Sequence, residues 1–282
     1  MYKIVKKRVL APQVVLMDID APLIAKKAEP GQFIMFRIDE AGERVPLTIA
    51  DYDREKGTVT IIFQEIGKST KKLGQMSEGE GILDFVGPLG VASHLEGLGK
   101  VAVVGGGLGT AIAYPQAKKL KTLGAQVDVI MGFRNQESII LEEEMAAVSN
   151  RLFVTTDDGS NGNKGFVTDE LKKLLDAGET YDLVIAIGPL VMMRAVCALT
   201  KEAGIKTIVS MNSIMIDGTG MCGCCRLTVN GETKFACVDG PEFIGHEVDF
   251  DEAIARQDMY REEERVSLEH HECRLGKLAE KE

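Results

Sequence analysis

The chain has 282 residues, 43 acidic and 33 basic, giving a formal net charge of −10, and this length predicts roughly two domains with a sizeable core. The acidic excess argues against a sequence-independent nucleic-acid binder, because phosphate binding needs a basic stripe. No apolar run approaches the ~18 residues of a transmembrane helix and the first residues lack the apolar stretch of a signal peptide, so we expect a cytoplasmic protein without a membrane partner.

Short alternating strands are predicted in the N-terminal third of the chain. Apolar and polar positions alternate in VVLMDID (14–20), QFIMFRI (32–38), TVTIIFQEI (58–66) and ILDFV (82–86). Clusters of glycine and acidic residues separate these runs. Regular short strands with such turns are typical of a small antiparallel barrel or sandwich.

Strands alternate with helical patterns in the middle of the chain. This pattern begins at VAVVGGG (101–107) and ends at KTIVSMNS (206–213), and it indicates a doubly wound parallel sheet. The fold class is therefore all-β followed by α/β. The predicted segments are an antiparallel barrel in 1–97, a nucleotide-binding α/β domain in 98–212, a cysteine-rich segment in 213–246 and an acidic helical tail in 247–282.

The tail has too few apolar residues to fold alone. It is interpreted either as a solvated surface helix or as an arm that packs on a partner. His270, His271 and Cys273 could form a second metal site, but a solvated end of the tail is the favoured interpretation of these residues.

A glycine loop joins the first parallel strand to the first helix of the α/β domain. It contains Gly105, Gly106, Gly107, Leu108, Gly109 and Thr110. Glycines let backbone N–H groups approach a pyrophosphate, and a helix N-terminus adds a favourable partial charge. The loop predicts a dinucleotide site, although Thr110 departs from the G-x-G-x-x-G spacing and a glycine turn of any α/β fold has a similar composition.

Further candidate nucleotide contacts follow the later strands. Ligands of open α/β sheets bind at the carboxyl ends of strands, so we predict that these residues join the same site. They are Arg134, Asp157, Asp158, Gly159, Gly188 and Pro189. The alternative interpretation is that Arg134 is simply exposed and that Asp157 and Asp158 form a turn without binding a nucleotide.

Four of the six cysteines are clustered, at 222, 224, 225 and 237. Counted from Asp217, the spacing is D-x4-C-x2-C-x11-C, which matches the plant-type [2Fe-2S] spacing if Asp217 replaces the first thiolate. The predicted ligands are Asp217, Cys222, Cys225 and Cys237, with Cys224 as a spare thiol. The alternatives are a zinc site completed by His246, or buried thiols beside an aspartate turn.

This order of segments resembles the ferredoxin reductase flavoprotein superfamily, in the branch with a C-terminal cluster. The run from Arg44 to Thr48 resembles its Arg-x-Tyr-Ser/Thr strand, and Gly67–Thr70 resembles its G-x-x-T loop for the FAD pyrophosphate. The resemblance implies FAD on the barrel. The implied contacts are Arg44, Val45, Pro46, Leu47, Thr48, Ile62, Phe63, Gln64, Gly67, Lys68, Ser69 and Thr70.

Two families of this branch are similar to the sequence. One is the electron-transfer subunit of dihydroorotate dehydrogenase type B, whose cluster ligands look like four cysteines. The other is the small subunit of the electron-bifurcating NADH-dependent reduced ferredoxin:NADP+ oxidoreductase, which is similar to this sequence in having an aspartate as the first cluster ligand.

The second resemblance implies that NADH reduces FAD and that the cluster relays single electrons to a larger flavin and [4Fe-4S] subunit. Such a complex couples NADH, NADPH and ferredoxin. No catalytic acid, base or nucleophile is expected in this chain. From the residues alone, a zinc-stabilised nucleotide-binding regulator stays an alternative.

Overall fold

The computed structural model describes residues 1–269. Its strands form a seven-stranded sheet, a six-stranded sheet and a two-stranded hairpin. The predicted boundary at residue 97 falls in the connection between the first two sheets.

The first sheet is an antiparallel barrel with strand order β6-β1-β2-β5-β4-β3-β7. Its interior is filled by apolar side chains such as Phe36, Phe63 and Phe85, each 1% exposed or less. The predicted barrel is therefore confirmed. Its elements are β1 (Tyr2–Ala11), β2 (Val14–Asp20), α1 (Pro22–Ala25), β3 (Phe33–Arg37), β4 (Val45–Asp53), β5 (Thr58–Gln64), α2 (Lys68–Gln75), β6 (Gly81–Ile82) and β7 (Asp84–Leu89).

The second sheet has five parallel strands in the order β10-β9-β8-β11-β12, and an antiparallel strand from the cysteine-rich segment adds a sixth beside β12. Helices connect these strands, so the predicted doubly wound domain is also confirmed. Its elements are β8 (Lys100–Gly106), α3 (Gly109–Thr122), β9 (Gln126–Phe133), α4 (Glu142–Val148), β10 (Arg151–Thr156), α5 (Val167–Asp176), β11 (Leu183–Ile187), α6 (Leu190–Glu202) and β12 (Thr207–Ser210).

A buried carboxylate links neighbouring strands at the edge of the sheet opposite to the strand ends that carry the glycine loop. Asp128 is 2% exposed and accepts two hydrogen bonds from Arg151, at 2.9 and 2.5 Å. The hydroxyl of Tyr181 also donates to this carboxylate at 2.9 Å. Burial of the phenol, with the carboxylate beside it, raises the pKa of Tyr181.

Helix α3 lies between the α/β sheet and the barrel. Ala113 and Ala117 share one apolar cluster with Ala50 and Ile62 of the barrel. At the rim, Lys118 pairs with Asp51 of β4 at 2.7 Å. The two domains therefore share a continuous packed interface.

The cysteine-rich segment forms the hairpin of β13 (Arg226–Val229) and β14 (Glu232–Phe235) and then returns to the α/β sheet. Its last strand, β15 (Glu242–Ile244), pairs antiparallel with β12. Oε1 of Glu242 accepts hydrogen bonds at 2.8 Å from Ser93 Oγ and Gln116 Nε2. This carboxyl therefore joins the barrel exit, α3 and the cysteine-rich segment.

The tail begins with α7 (Phe250–Gln257), which Asp249 caps by accepting a hydrogen bond from the Glu252 N–H at 2.9 Å. Helical residues continue over 261–269, as predicted for this part. His270, His271 and Cys273 lie outside the described residues. Within residues 1–269, we find no helix with the length and apolar character needed to cross a membrane.

Candidate cofactor sites

The glycine loop lies at the carboxyl edge of the parallel sheet, where the strand order changes direction. β8 pairs with β9 on one side and with β11 on the other, so the chain winds outward from it both ways. Gly107 turns the chain into α3 with a positive φ of 54°. Ligands of doubly wound sheets bind at such a switch point.

Close backbone packing explains two of the glycines. A Cβ on Gly109 would lie 2.2 Å from the carbonyl oxygen of Ile187, and one on Gly105 would lie 2.8 Å from Thr110 Oγ1. That hydroxyl is buried and has no hydrogen-bond partner among the described residues. An orphaned hydroxyl at a helix N-terminus fits a nucleotide oxygen, so the loop suits the ligand that its sequence predicts.

The other predicted nucleotide residues surround this loop. The N–H of Asp157 donates to the Phe133 carbonyl at 2.9 Å, and that of Asp158 donates to the Arg134 carbonyl at 3.3 Å, which joins the loops after β9 and β10. The side chains of Arg134, Asp157 and Asp158 are exposed. Ser160 donates to Asp158 through its hydroxyl and its N–H, and both hydrogen bonds lower the pKa of Asp158.

Gly188 and Pro189 lie directly beside the glycine loop. A Cβ on Gly106 would be 2.4 Å from Met192 Sδ and 3.2 Å from Pro189 Cδ. A Cβ on Gly188 would also meet Met192, at 2.9 Å from its Cε. The structure therefore gathers all three predicted nucleotide loops on one edge.

The predicted flavin stretch occupies the first half of β4. Its residues 45–48 are partly exposed, whereas the next two are buried in the barrel. Thr48 pairs with Phe33 of β3. The stretch therefore offers an accessible strand surface.

The predicted pyrophosphate loop begins α2 next to this stretch. Thr70 Oγ1 accepts a hydrogen bond from the Gly67 N–H at 3.1 Å, which fixes the first turn. Ser69 donates to the Glu43 carboxylate at 3.0 Å, just before β4. The two segments with predicted FAD contacts are thus neighbours, with Lys68 at the first helical position.

The three residues predicted on β5 differ in accessibility. Phe63 is fully buried in the barrel, and Ile62 packs between the barrel and α3. Gln64 is partly exposed. Only Gln64 therefore has an accessible side chain, and period-two alternation alone did not predict which face the others take.

The Arg44 side chain reaches the cysteine-rich segment. Its Nε donates to the carbonyl oxygen of Ile216 at 3.1 Å, and its Nη2 donates to that of Asp217 at 3.0 Å. The resemblance implied an FAD contact for Arg44. Sequence reasoning did not predict these bonds, because their partners are more than 170 positions away.

Two of the predicted metal ligands are a buried pair. Cys225 and Cys237 are each 2% exposed, and their Sγ atoms are 3.3 Å apart. Two thiolates on one tetrahedral metal ion, with metal–sulfur bonds of about 2.3 Å, are about 3.8 Å apart. Burial and the neighbouring Cys225 thiol raise the pKa of Cys237 to about 12, so this thiol keeps its proton at neutral pH until a metal displaces it.

The other two predicted ligands, Asp217 and Cys222, contact each other through the backbone of the cysteine. Asp217 Oδ2 accepts hydrogen bonds from the N–H groups of Met221 at 3.0 Å and Cys222 at 3.3 Å. The Thr219 hydroxyl donates to Oδ1 and is the main reason that the pKa of Asp217 falls to about 2. Gly218, Gly220 and Gly223 take positive φ values of 81°, 84° and 67°, which lets the loop fold around the carboxylate.

The predicted ligands do not form a site for a single metal ion. Among the described residues, no three His, Cys, Asp or Glu side chains gather closely enough to hold a single ion. A [2Fe-2S] cluster takes two protein ligands on each iron, so two pairs are the expected donor arrangement. His246 instead contacts Thr200 Oγ1 through Nε2 at 3.0 Å, which disfavours the zinc alternative.

Cys224 lies between Cys222 and Cys225 in the chain and is partly buried. Arg256 of α7 donates to its carbonyl oxygen at 3.0 Å, so the tail helix also holds the loop. Burial raises the pKa of the Cys224 thiol.

Comparisons with known proteins match the two regions of the chain that contain the glycine loop and the clustered cysteines. Residues 103–198 match the family described as "Oxidoreductase NAD-binding domain". Residues 212–249 match "Iron-sulfur cluster binding domain of dihydroorotate dehydrogenase B". A solved structure described as "Insights into flavin-based electron bifurcation via the NADH-dependent reduced ferredoxin-NADP oxidoreductase structure" is 46% identical, with a TM-score of 0.90 over 96% of this chain and 97% of that one.

Two relatives are similar over almost their whole length. The "Dihydroorotate dehydrogenase B (NAD(+)), electron transfer subunit homolog" of Thermotoga maritima is 47% identical over 95% of this chain and 94% of its own. The "Dihydroorotate dehydrogenase B (NAD(+)), electron transfer subunit" of Desulforamulus reducens is 33% identical over 87% of this chain and 96% of its own.

Proposed function

Because this chain belongs to the family of dihydroorotate dehydrogenase B electron-transfer subunits and their homologues, we propose that it exchanges a hydride with NAD(H) and relays single electrons to a larger subunit. The resemblance inferred from the sequence is confirmed. The chain is an oxidoreductase subunit, and its cofactors are FAD, an iron–sulfur cluster and NAD(H). A flavin accepts a hydride as an electron pair and an iron–sulfur cluster accepts single electrons, so together they convert between the two.

We infer further that the activity is electron bifurcation, which couples NADH, NADPH and ferredoxin. The observation that carries this inference is the loop of the predicted ligands, in which the Asp217 carboxylate accepts a hydrogen bond from the Cys222 N–H while Cys225 and Cys237 bring two thiols into contact. A carboxylate oxygen is a harder ligand than a thiolate, so it tunes the cluster potential. The solved structure described for electron bifurcation is 46% identical to this chain over 97% of its own length, which supports the same inference.

The proposed binding roles follow from the two sites. Backbone N–H groups of the glycine loop and the Thr110 hydroxyl bind the nucleotide phosphates at the start of α3. The first turn of α2 binds the FAD pyrophosphate in the same way, and Thr48 faces the flavin ring. All these residues bind and orient cofactors, and the proposal assigns no proton transfer to any of them.

The larger subunit is proposed to dock on the face around the cysteine loop. Ile216, Met221 and Val238 are 54%, 87% and 43% exposed there, although all three are large and apolar. Such a group of exposed apolar side chains indicates a protein interface. Cys222 is exposed within the same face, so electrons would have a short exit to the partner.

A second candidate function is electron transfer to a dihydroorotate dehydrogenase. The description of the matched cluster domain and the Desulforamulus relative favour it. Co-purification discriminates the two, because the larger subunit either supports NADPH and ferredoxin turnover or oxidises dihydroorotate.

The decisive experiment starts with anaerobic purification of the full chain. We expect stoichiometric FAD, about two irons and two sulfides per chain, and bleaching of the visible spectrum by NADH. Asp217→Cys should keep the iron but change the cluster absorption and potential, whereas the control Asp239→Asn should not. A colourless, zinc-loaded protein would refute the electron-transfer function, and an unchanged Asp217→Cys spectrum would remove Asp217 from the ligand set.

A further inference from the structure

The loop that carries Asp217 is seated on the barrel, and Arg44 makes the polar contact. Its guanidinium donates to two successive carbonyl oxygens, those of Ile216 and Asp217, at 3.1 and 3.0 Å. We propose that Arg44 is a positioning residue that fixes the Asp217 side of the cluster site on the flavin-binding barrel. The inference rests on the proposed function, in which Asp217 is a cluster ligand.

An apolar contact next to these hydrogen bonds seats the same loop. Gly218 is buried, and a Cβ on it would lie 2.8 Å from Met35 Cγ and 3.2 Å from Leu89 Cδ1. Met35 belongs to β3 and Leu89 to β7, and β3 lies between β4 and β7 in the barrel sheet. Three neighbouring strands therefore support three successive residues of the loop.

The support is continuous with the predicted flavin stretch. Arg44 directly precedes β4, whose first residues carry the predicted contacts to FAD. Met35 pairs with Pro46 of that stretch. The flavin stretch and the ligand loop are thus held by the same two strands, so their separation is fixed within the barrel.

The chemistry of arginine suits this role. A guanidinium presents several donors in a rigid plane, so it can bridge two carbonyls, whereas a lysine ammonium is a single flexible point charge. A cation beside the cluster also favours the reduced state, which carries one more negative charge. Loss of Arg44 should therefore loosen the loop and lower the cluster potential.

The test compares Arg44→Gln and Arg44→Lys in the full chain, with Arg54→Gln as the matched control. Arg54 is another barrel arginine that donates to a carbonyl, that of Ala28 at 3.0 Å. The measurements are FAD content, visible circular dichroism and EPR of the reduced cluster, its midpoint potential, and the rate of cluster loss to a chelator.

We expect Arg44→Gln to retain FAD, alter the dichroism and EPR, lower the midpoint potential, and lose its cluster about tenfold faster, as the loss of charge-assisted hydrogen bonds implies. Arg44→Lys should keep a potential closer to wild type, because the charge remains, and still show altered dichroism and faster loss. Arg54→Gln should behave as wild type in every measurement.

Three results would overturn the proposal. The first is an Arg44→Gln variant whose dichroism, midpoint potential and rate of cluster loss equal those of the wild type. The second is loss of FAD from that variant with an unchanged cluster, which would make Arg44 an FAD contact, and the third is an equal effect of Arg54→Gln. These results differ from failure of the proposed function, which would appear as a wild-type chain without cluster or flavin. The positioning role alone would be refuted if the wild-type chain binds FAD and the cluster, Asp217→Cys changes the cluster spectrum and potential, and Arg44→Gln changes none of the measured properties.

Discussion

Replacing Gly109 with alanine tests whether the start of α3 forms the nucleotide site. The added Cβ would lie 2.2 Å from the Ile187 carbonyl oxygen and 2.8 Å from Gly188 Cα. Ordinary van der Waals contact begins at 3.4 Å, so helix and strand must separate by about 1.2 Å at this point. Both contacts are with backbone, so no side-chain rotation relieves them.

The expected cost follows from that displacement. Overpacking costs typically about 1–3 kcal/mol, and a backbone clash belongs at the upper end, which corresponds to roughly 6–12 °C in the thermal midpoint. The N–H groups of the glycine loop move with the helix. Because a 1 Å misplacement can cost about a hundredfold in rate, we expect reduction by NADH to fall by about that factor.

The assays are thermal unfolding and stopped-flow bleaching of the flavin by NADH. Gly107→Ala is the control, since nothing lies within 4 Å of its Cβ and only the positive φ of 54° opposes it. It should cost about 1–2 kcal/mol and leave the spacing of helix and strand unchanged.

Wild-type stability and bleaching in Gly109→Ala would show that α3 does not approach β11 so closely. A destabilised Gly109→Ala variant that NADH still reduces at the wild-type rate would show that the nucleotide binds elsewhere. In both variants the iron and FAD contents should stay at wild-type values, because neither glycine contacts the barrel or the cysteine loop.

Two further predictions concern buried carboxyls. Burial raises the pKa of Glu242, so the folded chain holds the carboxyl proton more tightly than the unfolded chain does. The free energy of unfolding should therefore fall as the pH rises from the ordinary pKa of 4.5 through the raised pKa. Glu242→Gln should flatten that part of the pH profile measured by denaturant melts. An equally steep profile in the variant would contradict this assignment. Asp128→Ala should cost about 1–3 kcal/mol, because the buried Tyr181 hydroxyl loses its acceptor while Arg151 keeps its ion pair with Glu179. The surface control Asp176→Ala should cost less than about 1 kcal/mol in the same melts.

Local patterns in the sequence predicted the elements and the kinds of site. Alternation of period two predicted β5, and an unbroken apolar run predicted β8. Such patterns are visible in the sequence because the burial of a strand's side chains depends on residues that are neighbours in the chain. Glycine spacing indicated the nucleotide loop, since only small residues allow its backbone to approach a phosphate. Cysteine spacing likewise indicated a cluster, because ligand chemistry restricts the residue types.

Long-range contacts were decided only by the tertiary structure. Alternation could not say that Phe63 faces the barrel interior, because that choice follows from strand pairing and closure of the sheet. Nor could it pair Arg44 with the carbonyl of Asp217, or return β15 to the edge of the α/β sheet. Such contacts join residues that are distant in the chain, so they arise from the packing of whole elements and leave no periodic signal in the sequence.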